Sequence, residues 1–266
     1  MKRKNFIMFI CSVTLSWCST SLFCQVNEDS AMLEHSEKWT VKQHKGLFGL
    51  SKPGFGTYTT IDVEKIDSPV IKKKTKTGSY VGAEMSSSGT DIDISKFLTI
   101  EKTKFYKLSL GTSSNTAEAV FAISSVSHEK RQTFLGKMMS KKDDGKDVVL
   151  DYNRDVPGTI KTGIDSLGWN FFIDNFVSGG RQTEASFFPV ASIAGGYLKN
   201  EQDSFYMQTY SSFAADIILI NQKGEHLAGL AFNQKHPDVW IRNDINQSCQ
   251  QAIATFFAVI FAIKDF

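Results

Sequence analysis

The stretch of sequence that decides the fold lies near the C terminus, where residues 250–263 read QQAIATFFAVIFAI. Its alanines, with neither glycine nor proline, favour helix over strand. Apolar residues lie all around the predicted helix, so it must be buried or lie in lipid. Residues 252–263 span only about 18 Å as a helix, against roughly 30 Å for the hydrocarbon core of a bilayer. We therefore predict a buried helix, with a membrane tail anchor as the alternative.

The sequence before this helix is typical of β-structure. Short segments rich in aromatic and β-branched residues are separated by clusters of Gly, Ser, Asn and Asp at 86–89, 111–115 and 141–146. This pattern predicts a mainly β protein, an antiparallel β-barrel or sandwich with one buried hydrophobic C-terminal α-helix. The strand-like segments are 57–63, 79–81, 97–100, 104–110, 119–123, 131–137, 169–173, 204–210 and 215–220.

The clearest local feature is a predicted β-hairpin before the helix. Residues 217–220 and 225–232 are strand-like, and the loop 221–224 between them ends in Gly224. Glycine can adopt positive φ without the penalty of a Cβ atom, as tight hairpin loops require.

The N terminus has the pattern of a secretory signal peptide. Met1-Lys2-Arg3-Lys4 is basic, and residues 6–23 carry no charge. We predict a signal peptide at 1–24, cleaved between Cys24 and Gln25, and export to the periplasm or the extracellular space of a bacterium. A retained N-terminal anchor is one alternative. A lipoprotein is another, although neither Cys18 nor Cys24 follows the small residue that lipidation needs.

Cleavage changes what composition implies about partners. Removing Lys2, Arg3 and Lys4 lowers the formal net charge from +2 to −1, so the basic pI does not indicate nucleic-acid binding. Only Cys249 remains of the four cysteines, which excludes an intramolecular disulfide. We predict a polar lead-in at 25–56 and a β-rich domain with the C-terminal helix at 57–266.

The order of these elements resembles the tubby-like superfamily, which includes phospholipid scramblases and LURP-one proteins. The resemblance covers residues 215–266: a strand pair at 216–220 and 227–232, a polar segment at 238–244, and an apolar helix that closes on Ile263-Lys264-Asp265-Phe266. It implies a closed barrel with the helix at its centre. No site residue is carried over from the family, whose calcium and lipid roles no residue here supports.

Metal and nucleophile chemistry have weak candidates in the sequence. His35, His44, His128, His226 and His236 form no HExxH or other paired spacing, and we interpret them as surface or turn residues. The sequence contains no GxSxG and no GxxxxGK[ST] motif. Cys249 lies near the start of the helix, where the dipole can lower a thiol pKa, but we favour a structural thiol.

Two acidic segments and one basic segment are further candidates. Asp91 and Asp93 lie on one face of an extended strand about 7 Å apart, a spacing compatible with calcium binding or glycoside hydrolysis. Residues 143–147 have calcium-loop character but lack a closing glutamate. We favour solvated turns for both. The run 72–76 contains four lysines and predicts a charged edge or loop that resists sheet pairing, with contact to an anionic surface as the alternative.

These observations favour an exported envelope protein with a non-catalytic binding or structural role. Its partner is an unknown protein, glycan or lipid and not nucleic acid, and a peripheral contact with a membrane stays open. We predict no cofactor, no metal site and no catalytic residue. Two alternatives are a lipid-binding protein of scramblase-like architecture and a hydrolase whose acidic residues, Asp91 and Asp93 among them, meet only in the fold.

Overall fold

A computed structural model describes residues 34–45, 51–67, 69–86, 89–139, 148–165, 168–174, 193–210, 216–231 and 236–263. Within these residues the chain forms fourteen strands and the helices α1 and α2. In chain order the elements are β1 Ser36–Thr40, β2 Lys42–Lys45, β3 Ser51–Phe55, β4 Tyr58–Lys65, β5 Ile71–Ser86, β6 Gly89–Gly111, β7 Thr116–Gln132, α1 Phe134–Met139, β8 Val148–Lys161, β9 Gly168–Asp174, β10 Gly195–Lys199, β11 Ser204–Tyr210, β12 Asp216–Asn221, β13 His226–Ala231, β14 Asp238–Arg242 and α2 Gln247–Ile263.

The strands form one antiparallel sheet that curves into a nearly closed barrel. Its order is β1-β14-β13-β12-β11-β10-β9-β8-β7-β6-β4-β3-β2, and β5 pairs with β6 beside this path. The two ends of the path, β1 and β2, are separated in the chain only by Val41, whose amide donates a hydrogen bond to the carbonyl of Pro237 at 2.8 Å. One bent segment therefore joins the two ends of the sheet.

Helix α2 is buried on every side, which confirms the prediction of a buried C-terminal helix. Every residue from Gln251 to Ile263 is at most 2% exposed. The helix packs against strands β3, β4, β6, β7, β8 and β14, and the Phe256 ring contacts the Phe171 ring edge-on at a centroid distance of 5.5 Å. Within the described residues, no helix combines the length and apolarity needed to cross a bilayer.

Polar contacts fix where α2 begins. The Asn246 side chain accepts a hydrogen bond from the amide of Ser248 at 2.7 Å and so caps the helix N terminus. The Gln251 side chain accepts a hydrogen bond from the amide of Gly163 at 3.2 Å, and Ser248 lies 3.1 Å from the Thr162 hydroxyl. The segment that follows β8 therefore holds the start of the helix in register with the barrel.

The predicted antiparallel barrel and the predicted hairpin are both confirmed. Strands β12 and β13 pair around residues 222–225, and Gly224 has a φ of 81°. Positive φ at this position explains why the loop carries glycine. Of the two predicted architectures, the structure is the barrel and not the sandwich.

Two local predictions are wrong. We expected short strands, but β5, β6, β7 and β8 have 16, 23, 17 and 14 residues. Residues 131–137 were expected as one strand, but β7 ends at Gln132 and α1 follows. The Thr133 hydroxyl accepts a hydrogen bond from the amide of Gly136 at 3.1 Å and caps this helix. Local capping by Thr133 therefore outweighs the strand preference of the sequence.

Part of the predicted polar lead-in, 25–56, belongs to the barrel. Residues 36–55 contribute β1, β2 and β3, with β1 paired to β14 and β2 paired to β3. The sequence did not predict these strands. The predicted signal peptide at 1–24, its cleavage position at Cys24 and Gln25, and the acidic segment 143–147 lie outside the described residues.

Candidate functional site

Four strands continue past the barrel wall as a sheet that we call the extension. It consists of β5, residues 89–105 of β6, 122–132 of β7 and 148–155 of β8. Strand β4 pairs with β6 only at residues 106–111, and β9 pairs with β8 only at residues 156–161, so neither continues into the extension. At about 3.3 Å per residue, the β6 part of the extension spans about 55 Å.

One face of the extension continues the inner face of the barrel along β6. Leu110, Leu108 and Tyr106 of β6 are all buried in the core. Because side chains alternate along a strand, Lys104 and Lys102 occupy the next two positions on that same face. The inner face thus changes from apolar to cationic along a single strand.

The neighbouring strands show the same change. On β7, buried Ile123 is followed on the same face by Ser125 and Ser127. On β8, buried Val156 is preceded on that face by Arg154 and Tyr152. The interior of the barrel therefore passes into a polar concave surface where the strands leave the barrel.

This surface forms a groove with a volume of about 340 Å³, within the range of small-molecule sites. Its wall combines apolar, hydroxyl and charged side chains from four strands. The lining residues are Lys72, Ile100, Lys102, Lys104, Tyr106, Ile123, Ser125, Ser127, Glu129, Arg131, Tyr152 and Arg154.

Cations dominate the groove, and three of them lie in one row across the sheet. Lys72 of β5 is paired with Lys102 of β6, Lys102 with Ser125 of β7, and Ser125 with Arg154 of β8. Like charges directly opposite each other on neighbouring strands are destabilising. The fold therefore holds a concentration of positive charge that sheet pairing alone would disfavour.

Arg154 is held rigidly at one end of this row. Arg154 is only 8% exposed. Its Nε and Nη2 atoms donate hydrogen bonds to the Tyr152 hydroxyl at 3.0 and 2.8 Å. The Tyr152 hydroxyl occupies the Nε–Nη2 edge of the guanidinium and fixes the position of its positive charge, which favours carboxylate and phosphate groups nearby.

The field of the groove acts on Lys104. Burial lowers the pKa of Lys104 below its usual value, and the positive charges of Lys102, Lys65 and Arg154 lower it further, against an opposing contribution from Tyr152. Both desolvation and repulsion by the neighbouring cations therefore destabilise the protonated form of the Lys104 amine. A bound anion would reverse the repulsive contribution.

The groove contains one carboxylate among its described lining residues, and that carboxylate is already paired. Glu129 accepts hydrogen bonds from Nε and Nη2 of Arg131 at 2.7 and 2.6 Å and from the Ser127 hydroxyl at 3.2 Å. Arg131 and Glu129 therefore largely neutralise each other, and Lys72, Lys102 and Lys104 add positive charge to the same wall. Such an arrangement can bind an anion by charge-assisted hydrogen bonds.

The predicted basic run 72–76 lies on β5, and its four lysines are exposed. Within the described residues β5 pairs only with β6, which confirms the prediction of a charged edge. Lys72 also lines the groove, whereas Lys73 lies 3.7 Å from Glu101 in a surface ion pair.

The predicted acidic pair does not form a two-carboxylate site with described residues. Asp93 accepts hydrogen bonds from Lys130 and Ser95. Burial is the largest single effect on the pKa of Asp93 and raises it, but the two hydrogen bonds and the Lys130 charge together outweigh burial. The pKa of Asp93 is therefore lower than its usual value. The side chain of Asp91 lies outside the described residues. Lys130, on the outer face, is thus the charged partner of Asp93.

Cys249 does not have the environment of a catalytic nucleophile. Burial raises the pKa of the Cys249 thiol to about 12, and the neighbouring Asp203 carboxylate raises it as well. The thiol lies 3.6 Å from that carboxylate. Since the thiolate is the reactive form, this agrees with our interpretation of a structural thiol.

The histidines are dispersed. His35, His128 and His236 are exposed, His226 is partly buried at the start of β13, and the side chain of His44 lies outside the described residues. His128 lies 3.0 Å from the Thr99 hydroxyl. Within the described part of the chain, no three His, Cys, Asp or Glu side chains are grouped as metal ligands.

Sequence reasoning missed Lys102, Lys104, Arg131 and Arg154. A signal was present, since Lys102, Lys104 and Tyr106 recur with period two in a strand-like segment. The sequence does not show that β6 pairs with β5 and β7 with β8, and this pairing brings residues about 50 positions apart onto one surface.

No family model, no curated protein and no solved structure matches this chain. The resemblance to the tubby-like superfamily stays a prediction.

Proposed function

We propose that this chain is a non-catalytic binding protein whose groove takes a small anionic ligand bearing phosphate, sulfate or carboxylate groups. The observation that carries the proposal is the row of Lys72, Lys102, Ser125 and Arg154, with Lys104 beside it on the same face. Four cations that converge without an unpaired carboxylate among the described lining residues complement a ligand with more than one negative charge.

Binding is favoured over hydrolysis by the chemistry of the same residues. The hydrolase considered above needs acidic groups that reach the substrate, and the one described carboxylate of the groove, Glu129, is held by Arg131. Cys249, the thiol considered as a nucleophile, belongs to the start of α2 and does not line the groove. The hydrolase alternative has no comparable support.

Pyrophosphate is a suitable probe, because it carries several charges on two linked groups. We expect isothermal titration calorimetry at low ionic strength to show binding to the purified chain, and Lys104→Gln to weaken it by about tenfold. The matched control is Lys223→Gln, which removes the same charge from the exposed β12–β13 turn. The absence of binding in the parent, or an equal loss in both variants, would refute the proposal.

We also propose that the protein is exported through the signal peptide at 1–24. The basic residues 2–4 and the uncharged stretch 6–23 support this. Expression in a bacterial host followed by N-terminal sequencing of the exported chain should give Gln25 as the first residue. An intact N terminus on membrane-bound protein would favour the retained anchor instead.

A further inference from the structure

We propose that one end of the extension binds the surface of an anionic lipid bilayer. This surface, which we call the distal end, comprises α1 with residues 80–81 of β5 and residues 148–150 of β8. It is separate from the anion proposed for the groove, and neither proposal depends on the other.

The distal end exposes an unusual amount of apolar surface. Phe134 and Met138 of α1 are 78% and 69% exposed, and Val81 of β5 is 72% exposed. Six further large apolar side chains of the distal end are also exposed, which gives nine of the fifteen such side chains in the described part of the chain. These six are Tyr80, Leu135, Met139, Val148, Val149 and Leu150.

Strand pairing brings these residues together. Val81 pairs with Ile94 of β6, and the carbonyl of Ile94 accepts a hydrogen bond from the amide of Thr133, the residue before α1. Gly136 lies so close to Ile94 that a Cβ atom there would be 2.4 Å from its carbonyl oxygen. Helix α1 is thus fixed against β6 as a continuation of β7.

Strand β8 completes the distal end on the other side. Val148 pairs with Lys130 and Val149 with Glu129, the residues of β7 that lie a few positions before α1. The apolar side chains therefore belong to one cross-strand level of the sheet and are not scattered over the surface. Successive strand residues such as Val148 and Val149 point to opposite faces, so these side chains lie on both faces of the sheet at that level. So large a share of the exposed apolar side chains at one level indicates an interaction site.

Charge identifies the partner as an anionic bilayer. Helix α1 contains no acidic residue and carries Lys137 among its apolar side chains, the composition of a helix that lies in a membrane interface. Of the described acidic side chains close to it in the sheet, Asp93 is paired with Lys130 and Glu129 with Arg131, whereas Asp151 is exposed. Further along β5, the exposed lysines of 72–76 begin about 16 Å from Val81 by strand rise, and add attraction to an anionic surface.

The test is vesicle flotation of the purified chain. We expect it to float with vesicles of phosphatidylcholine mixed with phosphatidylglycerol, and much less with phosphatidylcholine alone or at high salt. The double variant Phe134→Ser/Met138→Ser should lower binding to the mixed vesicles by about tenfold or more, because two side chains that would enter the interface are removed.

A matched control removes two exposed apolar side chains elsewhere. Val120 of β7 and Tyr206 of β11 are 42% and 48% exposed, so Val120→Ser/Tyr206→Ser should float like the parent. Thermal melts of both double variants check that the fold is kept.

Three outcomes would overturn the inference: a parent chain that does not float with the mixed vesicles, a distal variant that floats as well as the parent, and an equal loss in the control variant. Sedimentation of the parent as a dimer that the distal variant converts to a monomer, without flotation, would assign this surface to a second copy of the chain and likewise overturn it.

Discussion

Lys102 and Arg154 approach Ser125 from its two sides, Lys102 from β6 and Arg154 from β8. Because all three side chains lie on the face that continues the barrel interior, two cations converge on a hydroxyl group at the place where apolar packing ends. Lys72 continues the row on β5. This arrangement is the physical basis of the proposed anion site.

Removing one cation of this row should make the protein more stable and less able to bind. Lys102 faces Lys72 directly, and we expect Lys102→Gln to raise the free energy of unfolding by about 0.5 kcal/mol at low ionic strength. The same variant should bind pyrophosphate more weakly. Urea unfolding and calorimetry on one preparation measure both effects, and Lys223→Gln is the control. A loss of stability would mean that Lys102 serves the fold.

Anion affinity should fall at alkaline pH. The free protein has a lowered Lys104 pKa, and a bound anion favours the protonated amine and raises that pKa. Affinity is therefore constant while Lys104 is protonated and decreases as the pH rises through the lowered pKa. Ethanedisulfonate is the appropriate probe because its charge does not change in this range. In the Lys104→Gln variant the affinity should decrease less as the pH rises. The same pH dependence of affinity in the variant and the parent would show that Lys104 is not the titrating group.

A charge placed in helix α2 should prevent folding. Phe257 is fully buried, and Phe257→Asp would put an unpaired carboxylate in the core at a cost of several kcal/mol, about 4 or more. We expect insoluble protein, or soluble protein without a cooperative thermal transition in circular dichroism. Gln247→Asp, at the exposed start of the same helix, should fold because the helix dipole favours a negative charge there. A Phe257→Asp protein that melts like the parent would show that α2 is not interior.

Close packing in the barrel should make substitution of Gly158 destabilising. A Cβ atom at Gly158 would lie 2.3 Å from the Phe171 ring and 2.7 Å from Cβ of Phe121. We expect Gly158→Ala to lower the free energy of unfolding by about 1–3 kcal/mol through overpacking. At Gly168 nothing lies within 4 Å, so Gly168→Ala should change it by less than about 0.5 kcal/mol. Equal effects in urea unfolding would contradict the close approach of Gly158 to the rings.

The parts of the fold that the sequence predicted are those with strong local signals. Helix α2 could be predicted because its apolar residues surround the axis over a length too short for a bilayer, and the β12–β13 hairpin because Gly224 marks its loop. Strands β1 and β2 could not be predicted, since they are short and polar and depend on pairing with β14 and β3.

The candidate site was beyond sequence reasoning for the same reason. Lys102 and Arg154 are 52 positions apart in the chain, and only the register of β6, β7 and β8 places them in one row. Helix α1 was mistaken for a strand because its apolar residues fit either element, and the cap that Thr133 provides depends on where β7 ends.

The most direct test of the account is to observe where an anion contacts the protein. Pyrophosphate titrated into the isotope-labelled chain should shift backbone amide resonances in nuclear magnetic resonance spectra, with the largest changes at Lys102, Ser125 and Arg154. Resonances of the β12–β13 turn, which carries the exposed Lys223, should stay in place. Saturable shifts confined to the extension would agree with an anion site in the groove. No shift there, or shifts spread evenly over all surface lysines, would contradict it.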